Sequence, residues 1–258
     1  MSNISRISIW LFPCRTPIPV VQYYSGEDTH WSPPELMRKA NIEHMEITWL
    51  GHSCFQLRGK NVTLITDPFS PQPDYSLGKL NAPIVTVSHN HARHNYAQGV
   101  GGNPYVVQGP GEYEISDVLI TGVAAYHDDK HGKERGRNTI YVIHMDDLVL
   151  CHLGDLGHTL QEEQLEEVAD ADVLFIPIGG NTLNATQAAE VISQVEPRIV
   201  IPMHYHTLAL EGERDTADPL DKFCREMGVE TINKQPKIVV TRNNLPAEMH
   251  VVILSQRG

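Results

Sequence analysis

From Met45 onward the chain is a succession of short apolar runs separated by polar or glycine-containing breaks, and this spacing limits the fold more than any other feature. MEITWL, SCFQL and NVTLIT come first, followed by APIVTVS, PYVVQ, DVLITGVAAY, NTIYVIHM, DLVLCHL, DVLFIPI, RIVIPM, KIVVT and HVVIL. Most are of strand length and rich in Val and Ile, which suit a pleated, half-buried surface. The early runs follow one another as in a meander. Three segments with helical spacing intervene in the second half. Thr159, followed three residues later by Glu162, predicts a capping box opening a helix over TLQEEQLEEVA. Ala185, Ala188, Ala189, Ile192 and Val195 share one face, so NATQAAEVISQVE reads as an amphipathic helix ended before Pro197. Asp218 as cap, Pro219 in the first turn, and Leu220, Phe223, Cys224 and Met227 ahead of Gly228 predict a third. Strands early and strand–helix alternation late imply an α/β (α+β) fold of two packed sheets with helices on their outer faces.

Residues 1–44 have a different texture, with Pro13, Pro17, Pro19, Pro33 and Pro34 among mixed polar residues and no sustained period. They read as a disordered N-terminal extension, leaving 45–258 as the one main domain. A net charge of −12 disfavours broad attraction to nucleic acid or to an anionic membrane, both of which need a cationic face. Small substrates are the better expectation. The four cysteines, Cys14, Cys54, Cys151 and Cys224, have no CxxC spacing, which suggests neither a zinc knuckle nor a disulfide framework and suits a reducing cytoplasm. No apolar run approaches the ~18 residues of a membrane span, and ISIWLF is interrupted by Pro13, so no export signal is expected.

Fourteen histidines stand out in the composition, because imidazole is both the commonest metal ligand and a proton carrier near neutral pH. Their placement is patterned. IVTVS runs into His89, DVLITGVAAY into His127, DLVLCHLG into Asp155 and RIVIPM into His204, while MEITWLG ends in His52. Strand ends in layered folds converge on one edge, where side chains distant in sequence meet in a shared crevice. Within SHNHARHN, His89 and His91 are two apart, a spacing that lets a turning loop aim both rings at one ion; His94 is expected from the first turn of a following short helix, aimed at a neighbouring position.

In chain order, HNHARH, AYH, HLGD and PMH resemble the metallo-β-lactamase superfamily, whose signature is HxHxDH after a strand, then a His, an Asp beside Gly, and a His near the end. WLGHSCF, GDLGH and PMHY look closest to the branch that includes ascorbate-6-phosphate lactonase and many further Zn-dependent hydrolases. The resemblance runs from about Met45 to Leu254. It implies an αββα four-layer sandwich with a hydrolytic centre of one or two metals at one edge, and a branch that often forms homo-oligomers. Carried over by position, His89, His91 and His127 would hold the first metal, His94 and His204 the second, and Asp155 would bridge them.

Arg93 departs from that pattern, standing where the family has an Asp. A guanidinium stays protonated and offers no lone pair, so it cannot replace a carboxylate ligand. Charges of +1 and +2 ~4 Å apart at an effective dielectric of ~20 repel by about 8 kcal/mol, an upper limit because the side chain can swing outward. The expectation is one firmly held ion, Zn²⁺ or alternatively Mn²⁺, and a weak or empty second position.

A divalent ion lowers the pKa of bound water toward ~7, so hydrolysis of a lactone, ester or phosphoester of a small anionic substrate is the expected chemistry. Asp155 would orient the attacking water and carry its proton, with His94 beside it. Arg93 either pairs with a substrate phosphate or carboxylate or bridges to an acidic surface neighbour. In HDDKHGKERGRNT, Lys130, Lys133, Arg135 and Arg137 follow a proposed ligand directly; they read as a guide for anions or as an exposed polar loop. His52 and His158 are placed near the site or as structural histidines, and His206 as a substrate contact. Gly179 and Gly180 permit close approach of backbone to a ligand, or make a turn. Cys151 reads as core. Two other functions compete: a metal-binding protein without turnover, its centre degraded by Arg93, and a nuclease. The full remaining ligand set argues against the first, and the acidic balance without a basic stripe against the second.

Overall fold

The computed structural model describes residues 44–71, 77–205 and 220–257. Residues 1–43 of the predicted extension and His206 lie outside them.

The first half of the chain forms β1 (Met45–Gly51), β2 (Cys54–Arg58), β3 (Thr63–Thr66), β4 (Leu80–Asn81), β5 (Ile84–Val87), β6 (Val100–Gly101) and β7 (Tyr105–Gln108). β1, β2 and β3 pair antiparallel as a meander, β5 and β7 add parallel to β3, and β4 and β6 form a separate two-stranded ladder. Alternation along these strands divides their side chains between two cores. Met45, Ile47, Trp49, Phe55, Leu57, Leu64 and Ile84 enter the large core between the sheets. Leu50, Cys54, Ile65, Val85 and Val87 face outward into a smaller cluster with Phe69, Leu80 and Val100.

The second sheet contains β8 (Gly111–Ile115), β9 (Val118–Tyr126), β10 (Arg137–Met145), β11 (Leu148–His152), β12 (Val173–Pro177) and β13 (Ile199–Met203). β8 to β11 are antiparallel; β12 and β13 join parallel through the helical crossovers α1 (Glu162–Val168) and α2 (Ala185–Val195). Every residue of β12 and β13 is buried, as expected for parallel strands covered on both faces. α3 (Leu220–Glu226), β14 (Lys234–Gln235), β15 (Ile238–Val240), β16 (His250–Val251) and β17 (Ile253–Leu254) complete the chain. β15 returns to the free edge of β1, β16 to that of β13, and β14 pairs with β17.

α2 follows the pattern read from its sequence: Asn184 accepts the Gln187 amide at 2.9 Å as its N-cap, and the helix stops at Glu196 with φ 50° ahead of Pro197. Val191 joins its buried face and Ala189 lies at the margin. In α3, Phe223 and Cys224 are buried and Gly228 has φ 68°; the expected caps Asp218 and Pro219 lie outside the described residues. α1 differs from expectation. Leu160 is buried, which holds the chain extended past Thr159, and the helix opens two residues later at Gln161, whose amide donates to Gln164 Oε1 at 3.1 Å.

The three helices lie together on the second sheet, α1 against β9 and α2 between α1 and α3. Among the described residues no α-helix covers the first sheet; its outer cluster is closed by the loop and ladder segments between Phe69 and Val100, with one 3-10 turn at Ala97–Gly99. No described helix is long and apolar enough to cross a membrane.

Candidate metal centre

Parallel register brings the ligand-bearing strand ends to one edge. β3 and β5 pair Thr66 with Thr86, so Asp67 and the Ser88–His89 turn leave the first sheet side by side. In the second sheet β9 ends at Tyr126, opposite Arg137, and β13 ends at Met203, opposite Pro177, so His127 and His204 each follow directly on a strand end, while Asn138 lies just inside β10 opposite Ala125. Asp155 follows β11 by three residues, and its amide donates to Asn138 Oδ1 at 3.0 Å. His52 sits in the turn between β1 and β2, and its carbonyl accepts the His204 amide at 3.2 Å, joining the two sheets at the site.

Around Asp155 Oδ2 four imidazole Nε2 atoms converge: His94 at 3.2 Å, His204 at 3.4 Å, His127 at 3.7 Å and His89 at 3.8 Å. Three groups have ligand atoms mutually within 4.8 Å: His89, His127 and Asp155; His94, Asp155 and His204; and His89, His91 and His94. His91 is exposed, its ring 5.9 Å from those of both His89 and His94. It stands at the mouth, apart from His127 and Asp155. The expected helix at His94 is absent. His94 closes a turn in which its amide donates to His91 O at 2.8 Å, and the next helical turn starts at Ala97.

The far sides of the rings show that these groups fit a metal ion. His94 Nδ1 donates to Asp67 Oδ2 at 2.9 Å, His89 Nδ1 to Ser88 Oγ at 3.0 Å, and His204 Nδ1 to Gly179 O at 3.2 Å. With Nδ1 carrying the proton in each, the Nε2 lone pair is left facing the centre, the arrangement metal-binding histidines use. His127 Nε2 is buried with no hydrogen-bond partner, a cost of ~1–3 kcal/mol that coordination removes.

The Beta-lactamase superfamily domain model matches residues 46–204. A UPF0173 metal-dependent hydrolase of Methanopyrus kandleri is 29% identical over 228 residues, 76% of this chain and 96% of that one. The crystal structure of a protein described as a Zn-dependent hydrolase of the metallo-beta-lactamase superfamily, from Thermotoga maritima, superposes with a TM-score of 0.67 at 34% identity, covering 83% of this chain and all of that one. This chain belongs to the metallo-β-lactamase superfamily. It is a metal-dependent hydrolase. A further structure from Parabacteroides distasonis, at 19% identity and a TM-score of 0.58 over 83% of this chain and 94% of that one, shares the fold.

Asp67 in the hydrolase was not singled out by sequence, and it organises the site. Fully buried, with φ 37°, it accepts the Ser88 amide at 2.8 Å and the Ser88 hydroxyl at 2.6 Å besides His94. Ser53, Asn138 and His152 were missed as well. Ser53 Oγ donates to Asp155 Oδ1 at 3.2 Å, His152 Nε2 donates to Ser53 O at 2.8 Å, and Asn138 Nδ2 donates to Leu153 O at 2.9 Å. The Gly-Asp turn is fixed from both sides. Gly154 has φ 57°, and a Cβ there would lie 2.4 Å from Asn138 Oδ1. The glycines of IPIGGN admit a ligand's side chain: with φ 70°, Gly180 passes so close to His204 that a Cβ would sit 2.9 Å from Cε1.

Burial opposes charge on every group here, and neighbours decide the outcome. For His94 burial works downward, but Asp155 and Asp67 overcome it and push its pKa up to about 10. Burial also acts against ionised Asp155, yet His204 and His94 hold its carboxyl well below the usual range. Burial and then the His94 charge lower His89 to about 4; burial, then His204, His94 and Arg93, lower His52 to about 3. Without metal, His94 keeps a proton between two carboxylates, and an ion takes that proton's place.

The remaining predicted residues are distributed unevenly. His52 is buried beside the centre, its ring 6.3 Å from His204 and 5.2 Å from Phe69. Arg93 is half-buried, and its charge acts on both His52 and His91. Lys130 is engaged by Glu134, and Asp128 takes the amides of Lys130, Gly132, Glu134 and Arg135, so the loop after His127 is a braced turn whose acidic residues offset much of its basic charge. Arg135 is exposed, with its charge acting on His127. Arg137 belongs to β10 rather than the loop. His158 is structural: Nε2 accepts the Tyr126 amide at 3.2 Å and Nδ1 donates to Thr159 O at 2.7 Å. Cys151 is wholly buried core.

Proposed function

We propose that the hydrolase cleaves a lactone, ester or phosphoester of a small anionic substrate at this edge. His89 and His127 hold the first ion, zinc or alternatively manganese, with His91 turning in from the mouth to complete the set, and Asp155 is shared with a second position on His94 and His204 that Arg93 weakens. The supporting observation is the convergence of four Nε2 atoms on one carboxylate oxygen. A divalent ion bound there supplies acidified water and polarises a substrate oxygen. The chain does the rest. Ser53 ties down Asp155 Oδ1 and leaves Oδ2 as the proton acceptor facing the centre. Arg93, whose charge acts on His91 at the mouth and on His52 beside the centre, pairs with the substrate's anionic group and stabilises negative charge that develops during attack. WLGHSCF and GDLGH support a lactone within this class. Described cysteines that are all buried and unpaired support a cytoplasmic setting.

Metal quantitation with a hydrolysis panel of lactones, phosphomonoesters and phosphodiesters tests this reading. The native chain should retain about one tightly bound equivalent and Arg93→Asp about two, since the substitution removes a cation and supplies a carboxylate. Turnover should be lost in His91→Ala. Two tight equivalents in the native chain would refute the weakened second position, and full turnover by His91→Ala would remove the activity from this centre.

A further inference from the structure

The acidic balance of the chain, −12 overall, makes one recess on the first sheet conspicuous. Of β1 and β2, alternate residues fill the core, and the cross-strand pairs Glu46–Arg58 and Thr48–Gln56 face outward. The outer cluster covers this face toward the metal edge. Away from that edge a recess of about 550 Å³ remains, walled by Lys79 to Asn81 of the small ladder, by Pro236 and Lys237, and by Ser255 to Arg257. Its volume lies within the ~300–1,000 Å³ range of small-molecule sites.

Among the described residues four cations, Arg58, Lys79, Lys237 and Arg257, line the recess against one carboxylate, Glu46. Glu46 is taken by Lys237 at 2.6 Å and only grazed by Arg58 at 3.9 Å, which leaves most of the Arg58 guanidinium fork unspent. Among the described residues Lys79 and Arg257 have no carboxylate partner, and neither the Thr48 hydroxyl nor the Gln56 amide has a hydrogen-bond partner. The floor therefore offers neutral donors and the rim offers charge, with too little acceptor capacity inside to match them. We infer that this recess is a second binding site, for a small multivalent oxyanion of the phosphoryl type, separate from the metal centre. Guanidinium forks and hydroxyl or amide donors match the oxygens of such a group. A recess of this size suits a small molecule; a nucleic acid would need an extended basic stripe. Thr48 of β1 lies four residues before His52, about 13 Å of extended chain, and none of the proposed metal ligands lines the recess.

Inorganic phosphate is the probe, titrated into the holoenzyme at ionic strength held constant with chloride, with the unfolding midpoint as readout. A saturable rise is expected in the native chain and in His91→Ala. Lys79→Glu/Arg257→Glu should bind at least tenfold more weakly with hydrolase activity unchanged. Gln56→Leu keeps every charge and should weaken binding severalfold, which a diffuse field effect would not produce. The inference is overturned if chloride alone reproduces the rise, if the double variant keeps native affinity, or if the rise vanishes in His91→Ala, which would place the anion at the metal centre.

Discussion

Asp67→Asn takes an acceptor from a carboxylate with nothing to spare. Oδ1 receives the Ser88 amide at 2.8 Å, and Oδ2 receives both the Ser88 hydroxyl at 2.6 Å and His94 Nδ1 at 2.9 Å, with the side chain completely buried. In asparagine one of those two positions becomes a donor. Turned toward the Ser88 amide, it sets N–H against N–H and leaves a buried donor unpaired, at a cost of ~1–3 kcal/mol. Turned toward Oγ and His94, it makes Nδ1 an acceptor and moves the proton of the neutral ring to Nε2, the atom 3.2 Å from Asp155. That lone pair is then lost to an ion. Loss of an outer carboxylate of this kind costs about 10- to 100-fold in metal affinity, or ~1.4–2.8 kcal/mol at ~1.4 kcal/mol per tenfold. Competition against a chromophoric chelator measures the affinity, and urea unfolding of the metal-free protein measures stability. At least one must fall by about these amounts. Unchanged values of both would refute the assignment of Asp67 as the group that sets His94.

Two further predictions concern neighbouring parts of the site. Gly180→Ala combines a left-handed φ, costing an L-residue ~1–2 kcal/mol, with a Cβ 2.9 Å from His204 Cε1; a displacement near 1 Å costs up to ~100-fold in rate, so kcat should drop sharply in a folded variant, and native turnover would show that His204 placement is immaterial. In metal-free protein His94, raised to about 10, adds stability that is complete below the unfolded value near ~6.5 and lost as pH rises through about 10. His89, lowered to about 4, makes stability fall as pH drops from ~6.5 toward 4. Urea midpoints across pH 4 to 10 should peak near neutrality, and a flat alkaline limb would contradict the His94 bridge.

Much of the fold was legible because strand length and burial leave direct traces in composition. β12 and β13, buried on both faces, are the continuous runs VLFIP and IVIPM, and β1 shows its face toward the large core as the alternating Met45, Ile47 and Trp49. Local rules failed where tertiary packing outweighed them. Thr159 and Glu162 satisfy a capping pattern, yet burying Leu160 between them gains ~1.5–3 kcal/mol against the ~1 kcal/mol of a cap, so the helix starts later. The helix expected at His94 fails for a related reason. A continuous helix across these residues would have to turn the His94 ring with its own period, whereas Asp67 on one side and Asp155 on the other fix it at 2.9 and 3.2 Å.

The site was legible in its histidines and opaque in what aims them, and the difference is physical. The same strand-end argument that selects His89 after IVTV selects Asp67 after TLIT, since the two strands are parallel neighbours in register; an acidic residue is simply a commoner event at a strand end than a histidine, so the signal there is weaker. Ser53 reaches Asp155 by a hydrogen bond that spans 102 residues and Asn138 by one that spans 17, and no spacing rule connects partners so far apart. Backbone strain is still less visible. His52, Asp67 and His204 all hold positive φ, at 49°, 37° and 55°, a conformation that disfavours L-residues and persists only where the surroundings over-determine it. A fold that needed these positions only as turns would be served better by glycine. Other non-glycine residues share that conformation in plain turns, Ser116, Asp117, Asp146 and Asp147 among them, so strain alone does not mark the site; it does so at His52, Asp67 and His204 because each also bonds or packs against a proposed ligand or is one.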